Sequence, residues 1–263
     1  MYEAGFIGAG NMGGALAQAA AKAVGAENLI LTCKTREHTL AAAARLGCAS
    51  GGVQEIVKNS RFVFLGIKPQ MLDEAAQALR TALAGADCVL VSMLAGVSLA
   101  RLEETFPGTR ILRIMPNTPC AVGSGMILLC RGSLAAERDA EEFRILMAQA
   151  GRIDEIPERL MDAASAITGC GPAFAYMFVQ ALADGGVACG IPRAKAAEYA
   201  AQMLLGSAQM VLETGAHPEK LKDDVCSPGG STIAGVQALE SAAFRAACMR
   251  AVEAAFEKTR KLG

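Results

Sequence analysis

The sequence predicts an α/β domain with a predominantly parallel sheet, followed by an all-helical domain. Three observations predict it. A glycine-rich turn near the N-terminus joins a short apolar run to an Ala- and Leu-rich stretch. Apolar runs and helical stretches then alternate as far as Pro119, the pattern of strands covered on both faces by helices. The composition changes near Ile156-Pro157-Glu158, beyond which the pattern is helical. The expected domains are residues 1–158 and 159–263.

Tyr2 to Ile7 reads as the first strand and Asn11 to Ala23 as the first helix. Between them Gly8, Gly10 and Gly13 have the G-x-G-x-x-G spacing. Gly8 permits the tight turn, Gly10 has no Cβ to obstruct a pyrophosphate, and Gly13 lets helix and strand pack closely. The helix start directs unpaired N–H groups and a positive dipole end at the phosphates. Gly8, Ala9, Gly10, Asn11, Met12 and Gly13 therefore form the expected dinucleotide cradle of a Rossmann-like domain. A plain glycine-rich turn is the other reading of the spacing alone.

Asn28 to Cys33 reads as the second strand. An NAD site places an acidic residue at the end of this strand for the ribose 2′-hydroxyl, whereas an NADP site places a basic one nearby. Here Lys34-Thr35-Arg36 follows, and the first acid is Glu37. The cofactor expected is NADP(H) in preference to NAD(H), held by Lys34 and Arg36; the alternative is that both are solvated loop residues. Further strands are expected over Arg61–Ile67, Asp87–Ser92 and Thr109–Met115, with helices over Met71–Leu83 and from the N-cap Ser98 through Glu104. Gly66 to Gln70, Ala95 to Ser98 and Met115 to Pro119 follow the carboxyl ends of strands, where such sheets bind ligands. Each stretch taken singly is equally an ordinary turn.

Met161 to Gly190 and Pro192 to Thr214 read as long helices, with Pro192 in a first turn. A short helix begins near His217-Pro218, and after Val225 to Thr232 helices run to Arg260. Ala163 to Ala183 carries no charge over 21 residues, enough to span a bilayer. Its Ser, Thr, Gly and Pro content and the bounding Asp162 and Asp184 favour a helix buried at an interface.

The bulk numbers bound the function. Lys and Arg total 25 against 26 Asp and Glu, a net charge of −1 that gives no reason to expect a nucleic-acid or polybasic membrane partner. Charged residues make up 19%, below the usual ~25%, and apolar residues 52%, so a large subunit interface is expected. Nine scattered cysteines show no metal-ligand spacing, and no metal is expected. Met1 to Ile7 is too short for a targeting segment, so the odd cysteine count reads as reduced thiols in the cytoplasm, most of them packing as small hydrophobes.

Function has to come from a second site. Ser227-Pro228-Gly229-Gly230-Ser231-Thr232 directly precedes a helix, and its successive N–H groups can form a nest for a carboxylate. An interhelical turn with a good cap is the alternative. Asp223 to Gly235, with Leu239-Glu240 beyond, resembles the signature of the pyrroline-5-carboxylate reductase family. So does Ala166-Ile167-Thr168-Gly169-Cys170-Gly171-Pro172-Ala173-Phe174, with Cys170 where many members carry Ser. Ile67-Lys68-Pro69-Gln70, Ala95-Gly96-Val97-Ser98 and Arg113 to Pro119 match the intervening motifs in order.

The resemblance covers nearly the whole chain. It implies NAD(P)H-dependent reduction of the cyclic imine 1-pyrroline-5-carboxylate to L-proline, the last step of proline biosynthesis. It assigns Lys68, Pro69, Met115, Pro116 and Asn117 to the nicotinamide side, and Ser227, Gly229, Gly230, Ser231 and Thr232 to the substrate. Thr232 would bond the ring nitrogen as the catalytic hydroxyl, while amides around Gly230 and Ser231 hold the carboxylate. It also implies a homodimer through interlocked C-terminal helices, with rings of dimers as a higher assembly and a site drawing on two chains.

Other readings are weaker. Hydroxyacid dehydrogenases of the 3-hydroxyisobutyrate and 6-phosphogluconate type share this outline but use a Lys on the first long helix. Met161 to Gly190 contains neither Lys nor His. A non-catalytic NADP sensor would have no use for the Pro-Gly-Gly-Ser-Thr loop. His38 and His217 sit at helix starts, as surface or capping histidines, and no nucleophile elbow accompanies them.

Overall fold

The computed structural model describes residues 1–261. Eight strands form one sheet: β1 (Tyr2–Ile7), β2 (Leu29–Thr32), β3 (Ala49–Ser50), β4 (Ser60–Leu65), β5 (Val89–Ser92), β6 (Arg110–Met115), β7 (Gly125–Arg131) and β8 (Gly151–Glu155). Their order is β3-β2-β1-β4-β5-β6-β7-β8. All neighbouring pairs are parallel except β6 and β7, which run antiparallel, as where Leu112 pairs with Arg131. The order reverses at β1, and the crevice beyond the carboxyl ends of β1, β2 and β4 is where such sheets bind ligands.

Alternation along the strands builds two cores. Phe6, Leu31, Phe64 and Val91 face one side, against α1 (Asn11–Val24), α2 (Arg36–Leu46) and α6 (Glu137–Leu146). Phe6 and Phe64 stack with ring centroids 4.5 Å apart, and Phe143 of α6 packs against Phe64. Ile7, Ile30, Val63, Leu65 and Leu90 face the other side, against α3 (Val53–Asn59), α4 (Leu72–Leu83), α5 (Leu99–Thr105) and Met161 of α7 (Met161–Thr168). The parallel strands are buried on both faces and read as continuous apolar runs.

The sheet is larger than the sequence pattern predicts. β3, α3, β7, α6 and β8 lie where no element is expected. β8 (Gly-Arg-Ile-Asp-Glu) is mostly polar, and its Glu155 is held by Arg131 at 2.5 Å and Arg144 at 2.6 Å. The expected helix from Met161 to Gly190 is broken into α7 and α8 (Gly171–Ala188). Pro172, in the first turn of α8, has no N–H to donate to Thr168 four residues before it.

The chain divides into two compact units, Met1–Gly169 with the chain from Ala255 onward, and Cys170–Ala254. The first therefore runs past the composition break near Glu158, because Met161 and Ala164 belong to the sheet's second core. The second unit consists of α8, α9 (Arg193–Thr214), α10 (Pro218–Asp224), α11 (Ser231–Ser241) and most of α12 (Phe244–Arg260). In it α8 and α9 pair where Gly186 approaches Ala196, and Ala183, Ala196 and Ala200 are buried. Tyr176, Met177, Tyr199, Met203 and Met249 remain exposed on this unit. Of the nine cysteines only Cys88, Cys120 and Cys130 are buried; burial pushes the Cys88 and Cys130 thiols up to about 11.

One very close backbone contact in the sheet unit lies at its first turn. A Cβ on Gly13 would stand 2.2 Å from the Gly8 carbonyl oxygen. Replacing Gly13 with Ala is expected to lower stability by about 1–3 kcal/mol, the cost of forcing an extra carbon into packed backbone, read from the midpoint of urea unfolding.

Candidate active site

The glycine turn is built as its spacing requires. Gly8 has φ of 96° and donates to the Thr32 carbonyl at 2.8 Å, tying the end of β1 to β2. Gly66, at the end of β4, donates to Ile7 at 2.8 Å. Gly10 caps α1, and the first intrahelical bond runs from Gly14 to Gly10 at 2.7 Å. The amides of Asn11, Met12 and Gly13 are thus left without intrahelical partners and form an anion-binding end. A Cβ on Gly10 would meet nothing within 4 Å, so that side of the turn is open. These residues fit a pyrophosphate.

Three hollows adjoin this turn. A cavity of about 700 Å³ runs from Gly8, Ala9 and Gly10 past Thr32, Cys33 and Lys34 to Ile67 and Lys68, with His38, Ala42 and Arg45 of α2 on its wall. A second, of about 290 Å³, is lined by Asn11, Met12, Gly13, Met93, Met115 and Pro116. It has the size and apolar lining to take one flat ring. A third, of about 410 Å³, lies between α1 and α2. Lys68, Met115 and Pro116 thus share hollows with the glycine turn, and Pro69 opens the single turn that follows Lys68.

Arg36 and Asn117 do not line the main cavity. Arg36 opens α2 and lines a neighbouring hollow of about 390 Å³ with Thr39, Leu40, Ser50 and Gly51, which shares Thr32 and Cys33 with the main cavity. Asn117 is 8% exposed and its amide is committed to the scaffold. Its Nδ2 donates to the Thr168 carbonyl at 2.9 Å, the group that Pro172 leaves without a helical donor. Its Oδ1 accepts from the Met126 amide at 2.9 Å. Asn117 therefore joins the ends of β6 and α7 to the start of β7, and lines none of the three hollows beside the glycine turn.

The second candidate loop lies in the helical unit. Gly229 has φ of 69°, and Gly230 donates to the Ser227 carbonyl at 3.0 Å. A Cβ on Gly230 would stand 2.5 Å from Ser227 Oγ and 3.1 Å from the Ser227 carbonyl oxygen, so a side chain here would displace the Ser227 hydroxyl. Gly230 caps α11 and Ala234 donates back to it at 3.4 Å, which leaves the amides of Ser231, Thr232 and Ile233 unpaired within the helix. Ser227, Gly229, Ser231 and Thr232 are exposed.

The helices flanking this loop are cross-tied. Arg245 of α12 reaches Glu219 of α10 at 2.8 Å and Glu240 of α11 at 2.6 Å. Lys222 and Arg245 together hold the Glu219 carboxyl down at about 2. His217 caps α10, its Nδ1 accepting from the Glu219 amide at 3.2 Å. Sequence reasoning gave His217 its capping place but missed Arg245; nothing in the spacing singled it out. No group of His, Cys, Asp or Glu that could hold a metal occurs among the described residues.

A doubly wound sheet with a glycine cradle, a cavity beside it and a ring-sized apolar slot defines the class of nicotinamide-dinucleotide oxidoreductases. Comparison with known proteins gives the family. A family model described as pyrroline-5-carboxylate reductase dimerisation matches residues 158–262, and one described as NADP oxidoreductase, coenzyme F420-dependent, matches residues 3–96. The chain is 41% identical over 262 residues to pyrroline-5-carboxylate reductase 3 of Macaca fascicularis, covering 98% of this chain and 95% of that protein. It is 40% identical to pyrroline-5-carboxylate reductase of Pisum sativum, covering 99% and 96%. The crystal structure of Plasmodium falciparum pyrroline carboxylate reductase with NADP bound superposes with a TM-score of 0.89 at 32% identity, covering 100% and 98%. The chain belongs to the pyrroline-5-carboxylate reductase family.

Replacing Asn117 with Ala is expected to lower stability by about 1–3 kcal/mol, because it leaves a half-buried carbonyl and a half-buried amide unpaired. Thermal and urea unfolding of the variant check this. A fold of unchanged stability would return Asn117 to the cofactor side.

Proposed function

We infer that the protein reduces the cyclic imine 1-pyrroline-5-carboxylate to L-proline with NAD(P)H, the last step of proline biosynthesis. The observation that carries this reading is the 41% identity to a pyrroline-5-carboxylate reductase across 98% of the chain. The glycine cradle and the Ser227–Thr232 loop, both intact, support it. NADP(H) is the preferred cofactor and NAD(H) the alternative. The P. falciparum relative was crystallised with NADP, and the end of β2 offers Lys34 and no carboxylate.

When bound, the reduced nicotinamide supplies the hydride. The protein's part is to bind, orient and exclude water. We assign the diphosphate to the amides of Asn11, Met12 and Gly13, and the nicotinamide side to Lys68, Pro69, Met115 and Pro116. The substrate carboxylate goes to the amides at Gly230 and Ser231, a helix start with unpaired N–H groups. Thr232 Oγ1 bonds the ring nitrogen and holds its proton in place. A protonated imine is already electrophilic, so no strong acid is needed. Orientation can supply several kcal/mol, up to roughly 7–11 in favourable cases.

The assembly we propose is a homodimer through the C-terminal helices, with a ring of dimers as its extension. The exposed Tyr176, Met177, Tyr199 and Met203 support an apolar interface there. The segment Glu158–Ala188 is long and apolar enough to cross a membrane by length and composition, and 11% of its most apolar window is buried within the chain. The dimerisation model covers it, and we assign its apolar face to the partner subunit rather than to lipid. A cytoplasmic location and the absence of nucleic-acid and membrane partners accord with the free thiols and the net charge of −1.

Steady-state assays with pyrroline-5-carboxylate, following nicotinamide absorbance, test the reading. Rapid NADPH consumption is expected. Turnover of hydroxyacids with NADP⁺ in its place would overturn the assignment. Thr232→Ala is expected to cut kcat by at least about tenfold, through lost orientation of the ring nitrogen, while NADPH binding stays unchanged and Thr232→Ser restores most of the rate. An unchanged rate in Thr232→Ala would remove the hydroxyl from the mechanism.

A further inference from the structure

The main cavity is selectively cationic. Lys34, Lys68, His38 and Arg45 line it, and neither it nor the adjoining hollow between α1 and α2 is lined by a carboxylate. Arg36, the obvious basic residue from the sequence, lines the adjoining hollow that shares Thr32 and Cys33 with this cavity, and not the cavity itself. Arg45 takes its place on the wall from further along α2. His38, Ala42 and Arg45 recur at helical spacing and present one face to the cavity. Ala41 and Ala42 line the same wall with small side chains.

The guanidinium lies close to the cofactor cradle. Arg45 Nη2 is 3.8 Å from where a Cβ on Gly14 would be, in the second turn of α1. Arg45 also lines the adjoining hollow with Gly10, Asn11 and Gln18. It makes no ion pair among the described residues. The diphosphate is already served by the amides that open α1. The group still lacking a partner is the 2′-phosphate, which lies off the end of β2 in this fold and is met there by an arginine.

We propose that Arg45 is the residue that distinguishes NADP(H) from NAD(H), holding the 2′-phosphate with Lys34, and that Arg36 takes no part. The proposal rests on the NADP(H) reading above and assigns its specificity to a helix residue that loop-based reasoning passes over. Arg45 is exposed, so its replacement leaves the packed core intact.

The test is calorimetric titration of the full chain with 2′,5′-ADP and with 5′-AMP, which differ only in the 2′-phosphate. It is run on the wild type, Arg45→Gln, Arg45→Lys and Arg36→Gln, alongside KM values for NADPH and NADH. Arg45→Gln is expected to weaken 2′,5′-ADP and raise the NADPH KM by at least about tenfold, the loss of one charge-assisted bond. Binding of 5′-AMP and the NADH KM stay unchanged. Arg45→Lys recovers part of the loss, and Arg36→Gln behaves as wild type. The proposal is overturned if Arg45→Gln matches wild type, if both nucleotides weaken equally, or if Arg36→Gln carries the loss. A wild type that binds both nucleotides equally also overturns it, and refutes the NADP(H) preference. Its pyrroline-5-carboxylate reduction with NADH then shows separately whether the reductase reading stands.

Discussion

With 2.2 Å between the Gly8 carbonyl oxygen and the place of a Gly13 Cβ, β1 and α1 approach too closely for any residue but glycine at that position. The same carbonyl presses on Gly66, where a Cβ would stand 2.5 Å away, so the ends of β1 and β4 and the start of α1 meet at one point. That convergence places the unpaired amides of α1 at the switch point of the sheet, between the two cavities that can receive the halves of a dinucleotide. The stacked Phe6 and Phe64 beneath it hold β1 and β4 in register. Chemistry at the top of the sheet depends on this contact because a wider gap would move the cradle away from both.

Elsewhere polar groups take up what chain geometry leaves unpaired. Pro172 deprives the Thr168 carbonyl of its helical donor, and Asn117 supplies one from the end of β6. Arg113, 4% exposed, is paired with Glu158 at 2.6 Å, and the same carboxylate oxygen accepts from the Leu99 amide at 2.6 Å, which anchors the start of α5. In the helical unit Arg245 does similar work in water, tying α10 and α11 on either side of the Pro-Gly-Gly turn. Exposed ion pairs of this kind contribute little to stability. Their effect is to limit how far the loop's flanking helices can separate.

Much of this was legible in the sequence. The parallel strands β1, β2, β4, β5 and β6 are largely apolar runs, and the glycine spacing specified the tight turn at Gly8 and the close packing at Gly13. What was missed has physical reasons. β3 has two residues. β8 is largely polar and is held by arginines from elsewhere in the chain, so neither propensity nor alternation marks it. β7 is apolar but follows Pro116 and Pro119, which read as the end of the sheet. For Arg36 and Asn117 a motif gives the chemistry but not the placement: Arg36 lines the hollow next to the main cavity, and the Asn117 amide bonds backbone at both ends. Side-chain direction from a helix seven residues on, as for Arg45 relative to His38, is not recoverable from a motif.

The central claim is that the open face of the first turn is a phosphate site, and Gly10 tests it most directly. Its φ of −70° suits any residue, and a Cβ there meets nothing. Gly10→Val therefore costs the fold no more than about 1 kcal/mol, the difference between a good and a poor N-cap residue. NADPH titration of this variant, monitored by nicotinamide fluorescence, is predicted to show binding abolished in a chain that unfolds almost as the wild type does. Undiminished NADPH affinity in that variant would contradict the account.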